Sequence, residues 1–303
     1  MPGPVPAVSL HGLTKYYGSS LGVEDITFQV QPGEIVGFLG PNGSGKTTVL
    51  RMLMGLISIT RGSARVFGVD VAAGGPGVRE RVGYLPGALS LYEHMTAGEY
   101  LGFLASMRRV DCSTQIKSLA ARFGLDLDRK IDDMSKGNKQ KVGVVQAFMH
   151  DPMLLVMDEP TSGLDPIVQH EFDDLLDEAR ERGASVLLSS HVLSEVERLS
   201  SHVAIIDKGR LVTFDHLDTL RERMTRRVTL EFAGAADVSA VSGVPGFVLE
   251  SVDGRHITGT VTGSQSALLK AALMHDLVTV HSPEPSLDDL FVGIVNRNAH
   301  RAP

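Results

Sequence analysis

Residues 40–47 read GPNGSGKT, and how that stretch is read decides the fold. It fits the pattern GxxxxGK[ST] in full. A loop of this kind needs glycine because several backbone N–H groups must approach phosphate oxygens that a Cβ would block. Its flanks agree. The apolar run at 35–39 reads as a buried strand and residues 46–54 as a helix, the strand–loop–helix unit of a parallel α/β sheet. That helix would aim its partial positive end at the same anion. On this reading Lys46 reaches the β- and γ-phosphates and the Thr47 hydroxyl ligates Mg²⁺. Gly40, Pro41, Asn42, Gly43, Ser44, Gly45 and Thr48 complete the cradle.

Working outward, LLVMDEP at 154–160 supplies a second half. An apolar strand ending in Asp158 places a carboxylate beside the Mg²⁺, as phosphoryl transfer requires. The next carboxylate, Glu159, is placed to polarise the attacking water as general base. The two motifs together point to a P-loop nucleotide hydrolase that uses Mg²⁺.

Residues 8–36 alternate short β-type runs with turns, with a strand at 23–30 and a turn at 31–34. Further buried strands are expected at 153–157 and 185–188, with a charged helix at 166–182 before the second. Helices at 96–109, 112–123 and 135–150 form a helical insert in the α/β domain. Beyond 207–209 the pattern changes. Strands at 228–232, 247–251, 256–261 and 277–280, helices near 236–241 and 264–274, and a closing helix at 286–295 suggest a small βαββαβ unit. The expected domains are therefore 1–215, with the helical part at about 88–150, and 216–303. No second phosphate-binding loop is present.

Composition narrows the function further. A net charge of −7 argues against a general nucleic-acid binder, which shows a basic footprint. Arg221, Arg223, Arg226 and Arg227 form a local basic cluster, read as solvated surface. The single cysteine, Cys112, allows no intrachain disulfide. The opening MPGPVPAVS has neither the basic nor the apolar part of a secretory signal, and the apolar runs are too short to span a bilayer. Work at a membrane is expected from the aqueous side.

Three more motifs narrow the family. MSKGNKQ at 134–140, SGLD at 162–165 and SSH at 189–191 follow in order. With the two phosphate motifs they resemble the ATPase subunits of ABC transporters across residues 8–215. Ser135 stands where a helix N-cap belongs. In that family this helix end, here Ser135, Lys136, Gly137 and Asn138, faces the γ-phosphate of ATP bound to the opposite subunit. The resemblance further implies that Asp165 lies at the same dimer interface and that His191 contacts the γ-phosphate and senses its loss. It also implies that Tyr17, in LTKYYG at 13–18, stacks on adenine, with Tyr16 as its rival.

Two departures stand out. The signature loop of the family usually reads LSGGQ, whereas this chain has MSKGN with Asn138 in the last place. The segment VGYLPGALSLYEHMT at 82–96 has Gly87 where the family carries glutamine or glutamate. That side chain normally approaches Mg²⁺ and links the core to the helical insert. The apolar residues Tyr84, Leu85, Leu91, Tyr92 and Met95 are either a docking groove for a membrane subunit or internal packing of the insert.

The resemblance implies a head-to-tail dimer of ATPase subunits, most simply a homodimer, clasping two ATP molecules at the cytoplasmic face of a bacterial membrane. It would drive an integral membrane permease, which itself contacts the transported small molecule. The tail, ending in EPSLDDLFV at 284–292, is similar to that of bacterial drug and antibiotic exporter ATPases, which implies export. The competing readings are a weakly hydrolysing ATP-gated clamp, an importer subunit, and an ABC ATPase acting on ribosomes or DNA.

Overall fold

The computed structural model describes residues 4–73, 75–222 and 225–283, and it opens on a hairpin of β1 (Val8–Tyr17) and β2 (Ser20–Val30). Next come β3 (Ile35–Leu39), α1 (Lys46–Leu53), β4 (Arg61–Val66), β5 (Val69–Asp70), α2 (Gly75–Glu80) and β6 (Val82–Leu85). The helices α3 (Ala97–Arg108), α4 (Ser113–Arg122) and α5 (Lys136–Phe148) form the insert. The chain then returns through β7 (Leu154–Asp158), α6 (Pro166–Glu181), β8 (Ser185–Ser190), α7 (Leu193–Leu199), β9 (His202–Asp207) and β10 (Arg210–His216).

These ten strands make one mixed sheet in the order β5-β4-β1-β2-β10-β9-β3-β8-β7-β6. Its first part pairs antiparallel, whereas β9, β3, β8, β7 and β6 run parallel. The central strands β3, β7 and β8 are buried at every position, which is why they read as unbroken apolar runs rather than alternating ones. One hydrophobic core joins the two parts and includes Phe28 of β2, Val49, Leu50 and Leu53 of α1, and Val156 of β7. The parallel register decides the site: Leu39 lies beside Ser190, and Asp158 beside Ser189. The ends of β3, β7 and β8 therefore open at one place, where parallel α/β sheets bind ligands.

The insert begins with a capping box. Thr96 accepts from Glu99 N at 3.1 Å and Glu99 accepts from Thr96 N at 2.8 Å, a device that stabilises a helix by about 1 kcal/mol. Leu85 is fully buried at the seam with α5, where a Cβ on Gly143 would come within 2.7 Å of it. It is packing, and it leaves the groove suggested by the sequence. Tyr92 is 57% exposed and rests edge-on against Tyr100, with Phe103 beside it.

The chain divides into two compact units between Phe214 and Asp215. The second holds α8 (Leu217–Glu222), β11 (Thr225–Phe232), a 3₁₀ turn (Val238–Ala240), β12 (Phe247–Asp253), β13 (His256–Thr262), α9 (Ser266–Leu273) and β14 (Leu277–His281). Its sheet is antiparallel in the order β12-β13-β11-β14, the interleaving of a split βαβ pair. The expected first helix is only the 3₁₀ turn, and the expected closing helix at 286–295 lies outside the described residues. Of the basic cluster, Arg227 pairs with Glu250 at 3.3 Å and Arg221 with Asp218 at 3.7 Å, while Arg223 lies outside the described residues.

Candidate functional site

The loop after β3 is built around positions no side chain could share. A Cβ on Gly40 would lie 2.4 Å from Ile206 O, and one on Gly45, at φ +110°, 2.4 Å from Val23. Pro41, Asn42 and Gly43 are exposed, and a Cβ on Gly43 would meet nothing within 4 Å, so the backbone there is open to an incoming anion. Ser44 turns inward. Its hydroxyl is buried without a hydrogen-bond partner, an orphaned polar atom in the middle of the loop. Such an atom is costly unless a ligand completes it.

Lys46 opens α1 and is 6% exposed. Its ammonium donates to Gly40 O at 2.6 Å and Pro41 O at 3.3 Å, folding back on the loop it would share with phosphate. Burial pushes its pKa below the ordinary lysine value, while the Glu159 and Asp158 carboxylates oppose the shift. Thr47 donates to Asp158 Oδ2 at 2.7 Å, and Ser189 donates to the other oxygen, Oδ1, at 2.5 Å. Thr47 and Asp158 are thus two hard oxygen ligands side by side, a donor set suited to Mg²⁺. Thr48 follows on the same helix, partly buried.

Glu159 has left-handed backbone at φ +53°, which turns its side chain out of the strand direction, and its N–H donates to Ser189 O at 3.0 Å. Its Oε2 lies 2.5 Å from His191 Nδ1. The general-base candidate and the histidine read from SSH therefore meet directly, each at the end of its own strand.

The remaining candidate residues sit on two helix ends. Ser135 caps α5, accepting from Asn138 N at 3.3 Å, and Asp165 caps α6, accepting from Ile167 N and Val168 N. The two caps are packed together, since a Cβ on Gly137 would lie 2.7 Å from Gly163 O. Lys136 reaches Ser162 at 3.5 Å. Among the described residues no hydrogen bond joins residues 135–138 to residues 40–48.

Tyr16 and Tyr17 are separated by their surroundings. Tyr16 donates to Glu24 at 3.2 Å and lies under Arg61. Tyr17 is half exposed, with the Lys15 ammonium 5.3 Å from its ring centre, and so offers a surface for a base. Lys15 is fixed by Ser58 O at 2.7 Å.

The structure brings in four residues to which no sequence motif gives a role: Ser189 and Lys15, described above, with Gln140 and Glu195. Gln140 donates to Pro160 O at 2.7 Å, tying α5 to the loop after Glu159. Glu195 is buried and accepts from Thr161 at 2.6 Å and Ser190 at 2.5 Å. Register marks Ser189, which pairs with Asp158; nothing in a single sequence marks a glutamate inside a short helix as anything but a cap.

The sequence pattern of the family described as ABC transporter matches residues 23–162. The bacitracin transport ATP-binding protein BcrA of Bacillus licheniformis is 35% identical, the match spanning 93% of this chain and 95% of that protein. The Nod factor export ATP-binding protein I of Paraburkholderia xenovorans is 30% identical over 97% of this chain and 98% of its own length. A fluoroquinolones export ATP-binding protein of Mycobacterium tuberculosis is 32% identical over 96% and 93%. Among solved structures, the ATP-binding subunit of an ABC transporter superposes with a TM-score of 0.67 at 33% identity, covering 71% of this chain and 92% of that one. A bacterial ABC transporter cassette solved as a dimer matches in fold, with a TM-score of 0.62 at 20% identity, over 69% of this chain and 98% of its own.

Proposed function

This chain belongs to the ABC transporter ATP-binding proteins, and from that premise we propose that it powers an export system as one half of an ATP-clasping dimer. ATP hydrolysis is the family's activity, and this chain carries its parts. Lys46 and the loop N–H groups would bind the outer phosphates, and the orphaned Ser44 hydroxyl would gain a partner there. Thr47 and Asp158 would hold Mg²⁺, which neutralises phosphate charge during transfer. Glu159 orients and deprotonates the attacking water, and His191 shares its carboxylate until the γ-phosphate draws the imidazole away. Tyr17 stacks on the adenine.

The observation that carries the dimer is the split between the two halves of the site. Ser135, Lys136, Gly137, Asn138 and Asp165 sit on two capped helix ends that make no hydrogen bond to this chain's own cradle among the described residues. Helix N-termini attract anions, so these ends suit the γ-phosphate held by a second copy. A two-fold arrangement supplies both sites at once.

Export is supported by the printed functions of relatives that match over nearly the whole chain, named for bacitracin transport, Nod factor export and fluoroquinolones export. The cargo is read as a small molecule carried by a separate permease. No helix among the described residues is long and apolar enough to cross a membrane. This agrees with a peripheral position on the cytoplasmic face, where the exposed Tyr92 and Phe103 offer the permease an apolar contact.

The test is the mass of the full chain carrying Glu159→Gln, measured with and without Mg-ATP. A doubling on nucleotide addition is expected. A monomer that binds ATP would remove the shared site. Co-purification of a multi-spanning membrane subunit, with drug efflux lost on its deletion, tests export.

A further inference from the structure

We propose that Glu195 is a positioning residue for hydrolysis, its buried carboxylate stapling the loop that carries Glu159 to the loop that carries His191. The proposal rests on the hydrolytic reading of those two residues.

Glu195 lies in the first turn of α7, where a glutamate ordinarily caps backbone N–H groups. Here it does something else. Its Oε1 accepts from the Thr161 hydroxyl at 2.6 Å, and its Oε2 accepts from the Ser190 hydroxyl at 2.5 Å. Thr161 is two residues after Glu159, and Ser190 immediately precedes His191. One side chain thus bridges the two segments whose own side chains meet at 2.5 Å.

Charge and burial make the bridge directional. A carboxylate only accepts, so both hydroxyls must give their protons to it. The Ser190 oxygen is then left to accept from Val192 N at 2.9 Å, which closes a turn around His191. Glu195 is 5% exposed and Ser190 1%, so water has little room to replace either contact.

The staple is also anchored. Val196, the next residue, packs on β3 so closely that a Cβ on Gly37 would lie 2.1 Å from it. That strand runs directly into the phosphate loop. From the other side, Gln140 holds Pro160 O. The separation of Glu159 and His191 is therefore set by the backbone of two loops and a helix fixed to the cradle strand. Among the described residues Glu195 makes no hydrogen bond to residues 40–48, so its loss should spare ATP binding and slow the chemical step.

The test compares Glu195→Ala, Glu195→Gln and Glu159→Gln in the full chain, by steady-state ATP hydrolysis and by amide exchange. Glu195→Ala is expected to lower kcat roughly tenfold to hundredfold, because small misplacements of reacting groups carry costs of that size, with KM little changed. Exchange should quicken at 159–162 and 190–193 together, but not in β7 or α6. Glu195→Gln, whose amide can bridge one hydroxyl as acceptor and the other as donor, should restore part of the rate. A KM rise with kcat intact, or quickened exchange throughout the chain, would make Glu195 a general structural residue and overturn the proposal. The Glu159→Gln variant separates the two possible failures. If it hydrolyses like the parent, the base assignment falls. If it is dead while Glu195→Ala is fully active, only the staple falls.

Discussion

His191 Nδ1 lies 2.5 Å from Glu159 Oε2, joining the ends of the neighbouring strands β7 and β8. Glu159 reaches this contact from a left-handed backbone conformation that costs a non-glycine residue on the order of 1 kcal/mol. That conformation goes with a carboxylate turned onto His191, and on the proposed mechanism it would orient the attacking water from there. Glu159→Gln keeps the shape and removes the base. Its kcat should fall about 10²- to 10⁴-fold, with Mg-ATP binding retained. Phosphate release and binding of the unhydrolysed nucleotide give the two readouts. A parent-like kcat would assign the base to another group.

Lys46 is almost fully buried, and its ammonium donates to Gly40 O and Pro41 O. Burial has already removed most of its hydration, so on the proposed function an incoming phosphate oxygen would replace the loop carbonyls. Lys46→Ala should therefore cut turnover by about 10²-fold or more, the scale of losing a preorganised charge-stabilising donor. Circular dichroism should show the fold retained, since α1 is held by Val49, Leu50 and Leu53 in the core. Unchanged turnover would dissociate this loop from catalysis.

Much of this was legible in the residues because the phosphate motifs are local. GPNGSGKT needs only its own backbone to define a cradle, and Asp158 and Glu159 end an apolar run that a parallel sheet buries on both faces. The convergence of β3, β7 and β8 was not legible, because strand order is set by register between segments far apart in the chain, such as Ile35 of β3 beside Val186 of β8. Leu85 reads in the sequence as either groove or packing and is core, since nothing local announces that α5 covers it. Tyr16 and Tyr17 could be told apart only once Glu24, Arg61 and Lys15 were seen around them. Glu195 was invisible because its partners lie on two loops brought together only by the fold.

Gly87, where the family carries a longer side chain, lies against the Asp158 carboxylate, the proposed Mg²⁺ ligand. A Cβ there would sit 3.0 Å from Asp158 Oδ2, tighter than ordinary contact, so Asp158 would have to shift by a few tenths of an ångström. That oxygen is the one Thr47 holds. Gly87→Ala adds the crowding alone and should lower turnover several-fold, on the order of the 1 kcal/mol of an off-ideal contact. Gly87→Gln adds crowding plus an amide that can bind water, and should keep or raise turnover relative to the parent. Activity assayed over a range of Mg²⁺ concentrations separates the two, since crowding should raise the Mg²⁺ requirement. If Gln behaves like Ala, the site has adapted to glycine and the missing amide is irrelevant.

Behind Gly87, the strand that leads to it is pinned at its start. His150 contacts Val82 O at 3.2 Å through Nε2, and Arg108 donates to the same oxygen at 3.3 Å and to Arg79 O and Glu80 O. The other imidazole nitrogen, Nδ1, is buried without a partner. Burial, aided by the Arg108 charge and opposed by the Val82 contact and Asp151, lowers the His150 pKa to about 4. The unfolded chain takes up this proton near pH 6.5, the folded chain only near pH 4. His150 therefore contributes its full stability above pH 6.5, and that contribution drains away as pH falls toward 4. Between pH 7 and pH 5 the loss is at most about 2 kcal/mol, and about 1 kcal/mol once partial exposure is allowed for. His150→Gln keeps a donor for Val82 O without titrating. Urea midpoints at the two pH values should drop less in that variant than in the parent. Equal drops would mean that His150 titrates normally and that the pin on β6 owes nothing to a neutral imidazole.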